Sequence, residues 1–566
     1  MKKNTSAIIL FSLFLLTSSS LFAQEKPKLI LQITVDQLRG DMPTKFMKNM
    51  GEGGFRYLQK KGIWYTNANY GHSNTETVVG HTTLATGADP AVHGMISNVW
   101  FDREAKKLVY NIEDSRYHIL SANADIDKDT ELDASQKLAS TDGRSPANIM
   151  VTTFSDELAL TTHNEAKIFG VSVKDRGAVT MAGHAGKAFW FSKATGEFIT
   201  SSYYYNKYPE WVSEWNKTKI PAEKFGDKSW SLMYDKSKYI YGNDDDEEWE
   251  MNITGFGRIF PHPYGSADNK YFNNFLTFSP AGDYLTLDFA KALIAAEDIG
   301  KDNVTDYLSI SFSSTDYVGH LFGPSSLEAE DNMLRLDRTL ADLFEYIDEH
   351  VGLENTLIVL SADHGGPEAP GFLKTFGIES GYVSVNKWDK NPSIMVLKKK
   401  FDIGQELIHN FFPPYLYLNH EVIKENGLDL AEVQEAVARE LMTIKGVALA
   451  VSSTDLLENK IPDTYLSGKA LRNFNIARSG DILILLQPQY FYNDFDGEIV
   501  AANHGSPWMY DSYVPVVFAG WKFSGRRISR KIEPKDIALT LSNLMGTKPP
   551  SGADGEVLLE VSEQAK

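Results

Sequence analysis

An adjacent carboxylate and imidazole, Asp363 and His364, follow a short apolar run and precede two glycines. The run, residues 356–362, is too short for an independent helix and is rich in β-branched residues, which predicts a buried parallel strand. In open α/β sheets, ligands bind outside the carboxyl ends of such strands. Carboxylate oxygen and imidazole nitrogen both suit zinc, so the pair is a candidate metal site. A turn aspartate beside a solvent-facing histidine is the simpler alternative.

The same arrangement, a predicted strand followed by acidic or imidazole side chains, occurs at three other places. Asp36 follows one such run, although a helix N-cap would also explain an aspartate there. Asp316 and His320 follow another run and are four residues apart, so one helical turn or a tight loop would bring both to one side. His504 comes after residues 479–488, which predict a further core strand. The candidate ligands are three carboxylates and three imidazoles: Asp36, Asp316, His320, Asp363, His364 and His504.

Two zinc ions roughly 4 Å apart could be held by such a set, which suits in-line displacement at phosphorus. A glycine-punctuated polar stretch, residues 71–87, could supply the attacking hydroxyl at a turn that opens a helix, where free N–H groups favour an anion. Threonine is a weak nucleophile at neutral pH unless a metal or a base activates it. An ordinary capped helix start would have the same composition, and spacing does not choose among the candidate hydroxyls Ser73, Thr75, Thr77, Thr82 and Thr83.

Three further residues could stabilise the oxygens of a phosphoryl group. Asn98 could donate its amide N–H to an oxyanion. Lys174 and Arg176 follow a predicted strand and, two residues apart, would point to the same side of an extended chain. Arginine can bind phosphate through two hydrogen bonds and lysine acts as a point charge, although a surface ion pair with Asp175 is the simpler alternative. His81 is expected to pack or hydrogen-bond rather than to bind metal.

The chain has 566 residues, of which 42% are hydrophobic and 23% charged, and its net charge is −19. This acidic balance argues against broad binding to nucleic acid or to an anionic membrane surface. The absence of cysteine excludes disulfides and thiolate metal ligands. Two lysines, an apolar run and small residues up to Ala23 are typical of a cleaved secretory signal peptide, so we expect a periplasmic protein.

The length predicts more than one simple core. Residues 188–283 are rich in Tyr, Trp, Lys and Asp and have poor periodicity, and residues 401–475 are typical of a small α+β module. Both are interpreted as insertions into an α/β core. The predicted organisation is a signal peptide at 1–23 and a core made of residues 24–187, 284–400 and 476–566.

Several motifs resemble those of the alkaline phosphatase superfamily, specifically the phosphate-irrepressible bacterial alkaline phosphatases of the PafA type. They occur in the family's order and span nearly the whole mature chain. The motifs are Val35-Asp36-Gln37, Asn74-Thr-Glu-Thr77-Val-Val-Gly-His81, Lys174-Asp-Arg176, Ser314-Thr-Asp316-Tyr-Val-Gly-His320, Ala362-Asp363-His364-Gly365 and Asn503-His504-Gly505.

The resemblance implies a three-layer sandwich with a mostly parallel central sheet, helices on both faces and two zinc ions. One ion would be held by Asp36, Thr77, Asp363 and His364, and the other by Asp316, His320 and His504. Thr77 would be the nucleophile, forming a phosphothreonine that water then hydrolyses. The phosphate would be bound by Asn98, Lys174 and Arg176. The expected substrates are small phosphate monoesters and the expected state is a monomer.

The resemblance leaves two alternatives open. A diesterase of the nucleotide pyrophosphatase type would use the same two-zinc core. The Lys174–Arg176 pair favours a monoesterase, because such enzymes place both cations on the dianionic phosphate, whereas diesterases leave room for a second substituent. A sulfatase is disfavoured because there is no cysteine to convert to formylglycine. A non-catalytic zinc or phosphate-binding protein would keep the metal ligands but would not need the hydroxyl of Thr77.

Overall fold

The structure is a computed structural model, and it describes residues 26–131, 133–384, 388–493 and 500–565. The signal peptide predicted at residues 1–23 lies outside these ranges. Across the described ranges, no helix combines the length and the apolar character that a membrane span needs.

The strands of the described chain are β1 (Leu29–Val35), β2 (Ile63–Asn69), β3 (Val99–Asp102), β4 (Lys107–Tyr110), β5 (Ile168–Ser172), β6 (Lys187–Ser192), β7 (Glu197–Ile199), β8 (Ser229–Trp230), β9 (His262–Pro263), β10 (Asp306–Phe312), β11 (Thr356–Ser361), β12 (Gly381–Ser384), β13 (Ile408–Phe412), β14 (Tyr415–Leu418), β15 (Val447–Ser452), β16 (Ile482–Leu486), β17 (Tyr490–Asn493), β18 (Tyr513–Gly520) and β19 (Arg526–Ile528).

The α-helices of the same ranges are α1 (Met42–Lys45), α2 (Phe55–Lys61), α3 (Thr77–Thr86), α4 (Pro90–His93), α5 (Ala134–Lys137), α6 (Phe154–Thr161), α7 (Asp175–Ala182), α8 (Glu210–Lys217), α9 (Ile220–Phe225), α10 (Phe272–Thr277), α11 (Pro280–Ala296), α12 (Ser314–Phe322), α13 (Leu327–His350), α14 (Pro370–Thr375), α15 (Pro392–Lys400), α16 (His420–Glu425), α17 (Leu430–Leu441), α18 (Ser453–Leu457), α19 (Tyr465–Asn473), α20 (Met509–Ser512), α21 (Asp536–Met545) and α22 (Leu559–Ala565).

The central sheet has nine strands in the order β19-β2-β18-β11-β1-β10-β5-β6-β7. Five consecutive strands, β11-β1-β10-β5-β6, run parallel, whereas β18 and β7 pair antiparallel with their neighbours. Leu29 of β1 is level with both Asp306 of β10 and Thr356 of β11, so these three strands start together and end at one edge. The predicted α/β sandwich with a mostly parallel sheet is confirmed.

Helices cover both faces of this sheet because the inner strands bury apolar side chains on both sides. Alternate residues of β1 enter different clusters, as the two-residue period of a strand requires. Leu31 packs in one cluster with residues of α11 and α13, and Ile30 in another with residues of α3 and α21. Each fully buried side chain of this kind stabilises the fold by about 1.5–3 kcal/mol.

Two predicted segment assignments differ from the structure. The strand predicted at 479–488 was assigned to the core, but β16 pairs with β14 and β15 in a separate four-stranded sheet. An apolar run alone does not tell which sheet a strand joins, so this assignment was wrong. Conversely, β6 and β7 belong to the central sheet although they lie mostly within the segment assigned to the first insertion. The boundaries of the two insertions otherwise remain predictions.

Candidate active site

Three acidic side chains meet where the central parallel strands end. Asp36 directly follows β1, Asp363 lies two residues beyond β11, and Asp316 is in the first turn of α12, which starts just after β10. The parallel register brings these ends to the same edge. The predicted helical turn between Asp316 and His320 is confirmed, since both lie on α12. The strand-end positions predicted for these residues are thus correct.

Gln37 bonds to two of the three carboxylates. Its φ of +63° is in the left-handed region, which is uncommon for a residue other than glycine. Its backbone N–H donates to Asp363 Oδ1 at 3.2 Å, and its side-chain amide donates to Asp316 Oδ1 at 3.0 Å. The unusual backbone conformation therefore lets one residue bond to two of the acids.

The predicted ligands form two overlapping groups. The ligand atoms of Asp36, Asp363 and His364 lie within 4.8 Å of one another, and so do those of Asp316, His364 and His504. His320 lies beside the second group, with its Nε2 at 3.3 Å from Asp316 Oδ1. All six predicted ligands therefore come together. His364 lies close enough to belong to either group, so these distances do not decide which histidines would hold which ion. The assignment of His320 to the second ion therefore remains a prediction.

The imidazoles are oriented as metal ligands are. The Nδ1 atoms of His320, His364 and His504 lie 2.9, 2.9 and 2.8 Å from backbone carbonyl oxygens, those of Ala502, Gly365 and Thr75 respectively. A carbonyl only accepts, so each Nδ1 carries the proton and donates it. Each Nε2 is then unprotonated, and it lies 3.3–3.4 Å from a carboxylate oxygen. Such anchoring of the second ring nitrogen is usual for metal-binding histidines.

Burial makes this cluster of acids unfavourable unless a cation offsets it. Asp36 and Asp363 are fully buried and Asp316 is nearly so. Burial, together with the charges of Asp316 and Asp363, raises the pKa of Asp36 well above its usual value. Burial also lowers the pKa of His364 to about 3, which keeps the ring neutral and able to bind metal. Buried carboxylates and neutral imidazoles are a ligand set that fits zinc.

Thr77 stands out among the five candidate hydroxyls. It is the first residue of α3, so it lies where the free N–H groups of that helix favour an anion. Thr75 and Thr82 donate to backbone carbonyls, and Thr83 lies 3.1 Å from His93 Nε2. The hydroxyls of Ser73 and Thr77 are buried without a hydrogen-bond partner within the described chain, and of these two only Thr77 lines the cleft beside Asp316, His320 and His504.

Of the predicted phosphate-binding residues, Asn98 and Arg176 line the same cleft, whereas Lys174 is not among its described lining residues. Lys174 is the N-cap of α7 and Arg176 is in its first turn, so the expectation of an extended chain was wrong. Lys174 Nζ lies between two acids, 2.7 Å from Asp36 and 2.5 Å from Asp316. Arg176 instead pairs with Asp133 at 2.8 Å.

Asn98 lies beside the first turn of α3, next to Thr77. Its side-chain oxygen accepts a hydrogen bond from the backbone N–H of Val78 at 3.2 Å, and its own backbone N–H donates to Glu76. The side chain of Asn98 lines the cleft together with Thr77 and Arg176. The amide oxygen is thus occupied by the first turn of α3, which leaves the NH₂ group to serve as the donor.

Two residues support the site, and sequence reasoning missed one of them, Asp133. His81 was expected to pack or hydrogen-bond, and its Nδ1 lies 3.1 Å from Asp363 Oδ2 while its Nε2 lies 2.9 Å from Ser311 Oγ. Its position one turn after Thr77 was the available signal. Asp133, which holds Arg176, carried no signal because it lies far away in a polar stretch of no clear pattern.

Comparison with known proteins defines the class. A family profile described as type I phosphodiesterase / nucleotide pyrophosphatase matches residues 30–507. The chain belongs to this family. Within the family it is similar over its length to enzymes named alkaline phosphatases, and it is an enzyme of that type.

Three relatives and one solved structure illustrate the similarity. Alkaline phosphatase PafA of Elizabethkingia meningoseptica is 34% identical over 95% of each chain. Alkaline phosphatase PhoV of Synechococcus elongatus is 33% identical over 95% of this chain and 93% of the relative. A Myroides odoratus protein named as a calcium-transporting ATPase is 32% identical over 99% of this chain and 98% of the relative. The crystal structure of PafA superposes with a TM-score of 0.86, covering 94% of this chain and 99% of PafA.

Proposed function

We propose that the chain is a two-zinc phosphomonoesterase that uses Thr77 as its nucleophile and releases inorganic phosphate. The observation that carries the proposal is the arrangement of the cleft. Three imidazoles with anchored Nδ1 atoms and three buried carboxylates converge, and Asp316, His320 and His504 of this group line the cleft. A threonine hydroxyl that has no hydrogen-bond partner among the described residues lines the same cleft at a helix N-terminus. The similarity to alkaline phosphatases supports the reaction class.

In this proposal one zinc is held by Asp36, Asp363, His364 and the oxygen of Thr77, and the other by Asp316, His320 and His504. When bound, zinc supplies Lewis acidity, which favours deprotonation of hydroxyl and water and neutralises charge on the phosphate ester. The pairing of Lys174 with Asp36 and Asp316 indicates that these acids need positive charge between them.

The residues of the chain would divide the reaction into two displacements. The oxygen of Thr77 forms a bond to phosphorus while the bond to the ester oxygen breaks and the alcohol leaves. A water molecule then attacks the phosphothreonine, which regenerates Thr77 and releases phosphate. The N-terminus of α3, the amide of Asn98 and the guanidinium of Arg176 would stabilise the non-bridging oxygens in both steps.

A diesterase on the same core is the second candidate, and the description of the matching family favours it. The two activities are separated by comparing kcat/KM for p-nitrophenyl phosphate and for its bis ester. We expect the monoester to be preferred. A preference for the bis ester would reverse the assignment.

Metal dependence provides a separate test. Metal analysis of the purified protein should find about two zinc ions per chain, and a chelator should abolish phosphatase activity. Activity should return when zinc is restored. If the chelated, metal-free protein kept full activity, the two-zinc proposal would be wrong.

We further propose that the protein acts in the periplasm, on the basis of its N-terminal sequence.

A further inference from the structure

The cleft has an outer end that the proposed reaction does not use. Its inner end holds Thr77 and the groups assigned to metal and phosphate. Its outer end is lined by the apolar side chains of Leu138, Phe412, Pro413 and Tyr492. The leaving group of a monoester bound to Thr77 would extend along this end, because the ester oxygen points away from the attacking oxygen in an in-line displacement.

This apolar wall is held in place from several directions. Phe412 ends β13 opposite Tyr415 of β14, with Pro413 in the turn between them. Tyr492 donates its hydroxyl to the carbonyl of Ile484 at 2.9 Å, so its ring is fixed. Phe412 and Pro413 therefore belong to the four-stranded sheet, and this hydrogen bond ties Tyr492 of β17 to β16 of that sheet.

The wall is also tied to the phosphate end of the cleft. β3 begins at Val99, directly after Asn98, and Phe101 of that strand packs edge-on against Tyr417 of β14 at 5.8 Å between ring centroids. Phe412 packs against the same Tyr417 ring at 6.3 Å. Asn98 and the wall are thus linked by a short chain of aromatic contacts.

The charges around the cleft are unfavourable for an anionic leaving group. Among the described residues that line it, Arg176 is the one lysine or arginine, and it is already paired with Asp133. Three carboxylates, those of Glu76, Asp133 and Asp316, line the cleft as well. An additional negative charge on the leaving group would meet these acids without an available cation.

We infer that the outer end of the cleft is a leaving-group subsite that selects phosphate monoesters of uncharged alcohols with a flat apolar face. Phe412 contacts that face, and Leu138 and Tyr492 complete the wall. This inference rests on the proposed phosphomonoesterase function and adds the class of substrate.

The test uses the full-length enzyme with zinc and three esters: phenyl phosphate, 4-carboxyphenyl phosphate and methyl phosphate. The first two differ by one carboxylate, and that group does not make the phenol a poorer leaving group. We expect kcat/KM to be about 3- to 10-fold higher for phenyl phosphate than for 4-carboxyphenyl phosphate. Equal values, or a preference for the carboxylate, would overturn the inference.

Two variants test whether the preference for phenyl phosphate arises at the apolar wall. Phe412→Ala should lower kcat/KM for phenyl phosphate by about 3- to 10-fold and leave methyl phosphate within about 2-fold, because only the aryl group reaches the wall. Leu138→Lys is tolerated structurally, since Leu138 is 37% exposed, and it should raise the relative rate for 4-carboxyphenyl phosphate. Phe376→Ala is the matched control, as this phenylalanine is 66% exposed and does not line the cleft.

The outcomes separate the two proposals. If the wild-type enzyme hydrolyses none of the three esters, the phosphomonoesterase function fails and the subsite fails with it. If the wild type is active but Phe412→Ala slows phenyl and methyl phosphate equally, the function stands and the subsite is wrong. A selective effect on phenyl phosphate, with Phe376→Ala unchanged, supports the subsite.

Discussion

At the scale of single residues, the proposed function depends on two kinds of buried side chain: a hydroxyl without a hydrogen-bond partner in the described chain, and cations paired with carboxylates. Thr77 has a buried hydroxyl with no hydrogen-bond partner in the described part of the chain, which is unusual because such groups are normally satisfied. Arg176 and Lys174 are buried cations held by carboxylates. Buried groups of this kind destabilise a protein, so they are expected to persist where function requires them. Substitutions at such residues therefore test the proposed function.

Thr77→Ala should lower kcat for phosphate monoesters by at least about 10³-fold, because the attacking oxygen is lost. Zinc content and thermal stability should stay near those of the wild type. Thr82→Ala on the same helix is the control and should keep most activity, since Thr82 donates only to the carbonyl of Val78. Loss of zinc in the Thr77 variant would indicate a structural role instead.

Arg176→Ala should reduce kcat/KM for p-nitrophenyl phosphate by about 10²-fold, and for the bis ester by much less, because only the monoester carries the dianion that arginine binds. Arg439→Ala removes an exposed arginine paired within α17 and should change neither rate. Equal losses for the two esters would place Arg176 away from the substrate.

At the scale of elements, the site depends on the close approach of α3 to the end of β11. A Cβ atom on Gly80 would lie 1.9 Å from the backbone oxygen of Asp363. Only glycine therefore permits the helix that carries Thr77 to pack against the loop that carries Asp363. His81, the next residue, then reaches Asp363 with its imidazole.

Gly80→Ala should lower the free energy of unfolding by about 1–3 kcal/mol and reduce kcat, because α3 must move away from the metal ligands. Gly468→Ala in α19 is the matched control. No atom lies within 4 Å of its added Cβ, and alanine favours a helix, so stability should stay equal or rise slightly. Urea unfolding and steady-state kinetics of both variants measure these effects. A Gly80 variant as stable and active as the wild type would contradict the packing argument.

At the scale of the whole molecule, buried histidines make stability depend on pH. Burial and the charge of Arg478 lower the pKa of His93 to about 3, against 6.5 for an unburied histidine. The folded state thus disfavours the protonated form. The resulting contribution to stability is complete above pH 6.5 and is lost as the pH falls from 6.5 toward 3, because the unfolded chain takes up the proton first.

The free energy of unfolding should therefore fall by about 2 kcal/mol from this group between pH 8 and pH 5. His93→Gln removes the titration, so its stability should depend less steeply on pH over the same range. Urea titrations of both proteins at several pH values provide the measurement. Parallel slopes for the two proteins would show that His93 does not contribute.

The sequence by itself indicated the candidate site residues and the elements that carry them. Apolar runs ending in Asp36, Asp316 and Asp363 identified strand ends, because buried parallel strands are locally apolar and their carboxyl ends are where ligands bind. The spacing of Asp316 and His320 correctly predicted one helical turn. These features are local, so they can be recognised in the sequence without knowledge of the fold.

Only the tertiary structure decided which distant residues meet and how they are shared. It showed that β16 joins the small sheet, that Lys174 and Arg176 turn to different carboxylates, and that Asp133 holds Arg176. It also brought the six candidate ligands together, and it placed Asp316, His320 and His504 in one cleft with Thr77. Strand pairing and side-chain contacts of this kind join segments that are far apart in the sequence. Their energies depend on tertiary packing, which local sequence patterns do not determine.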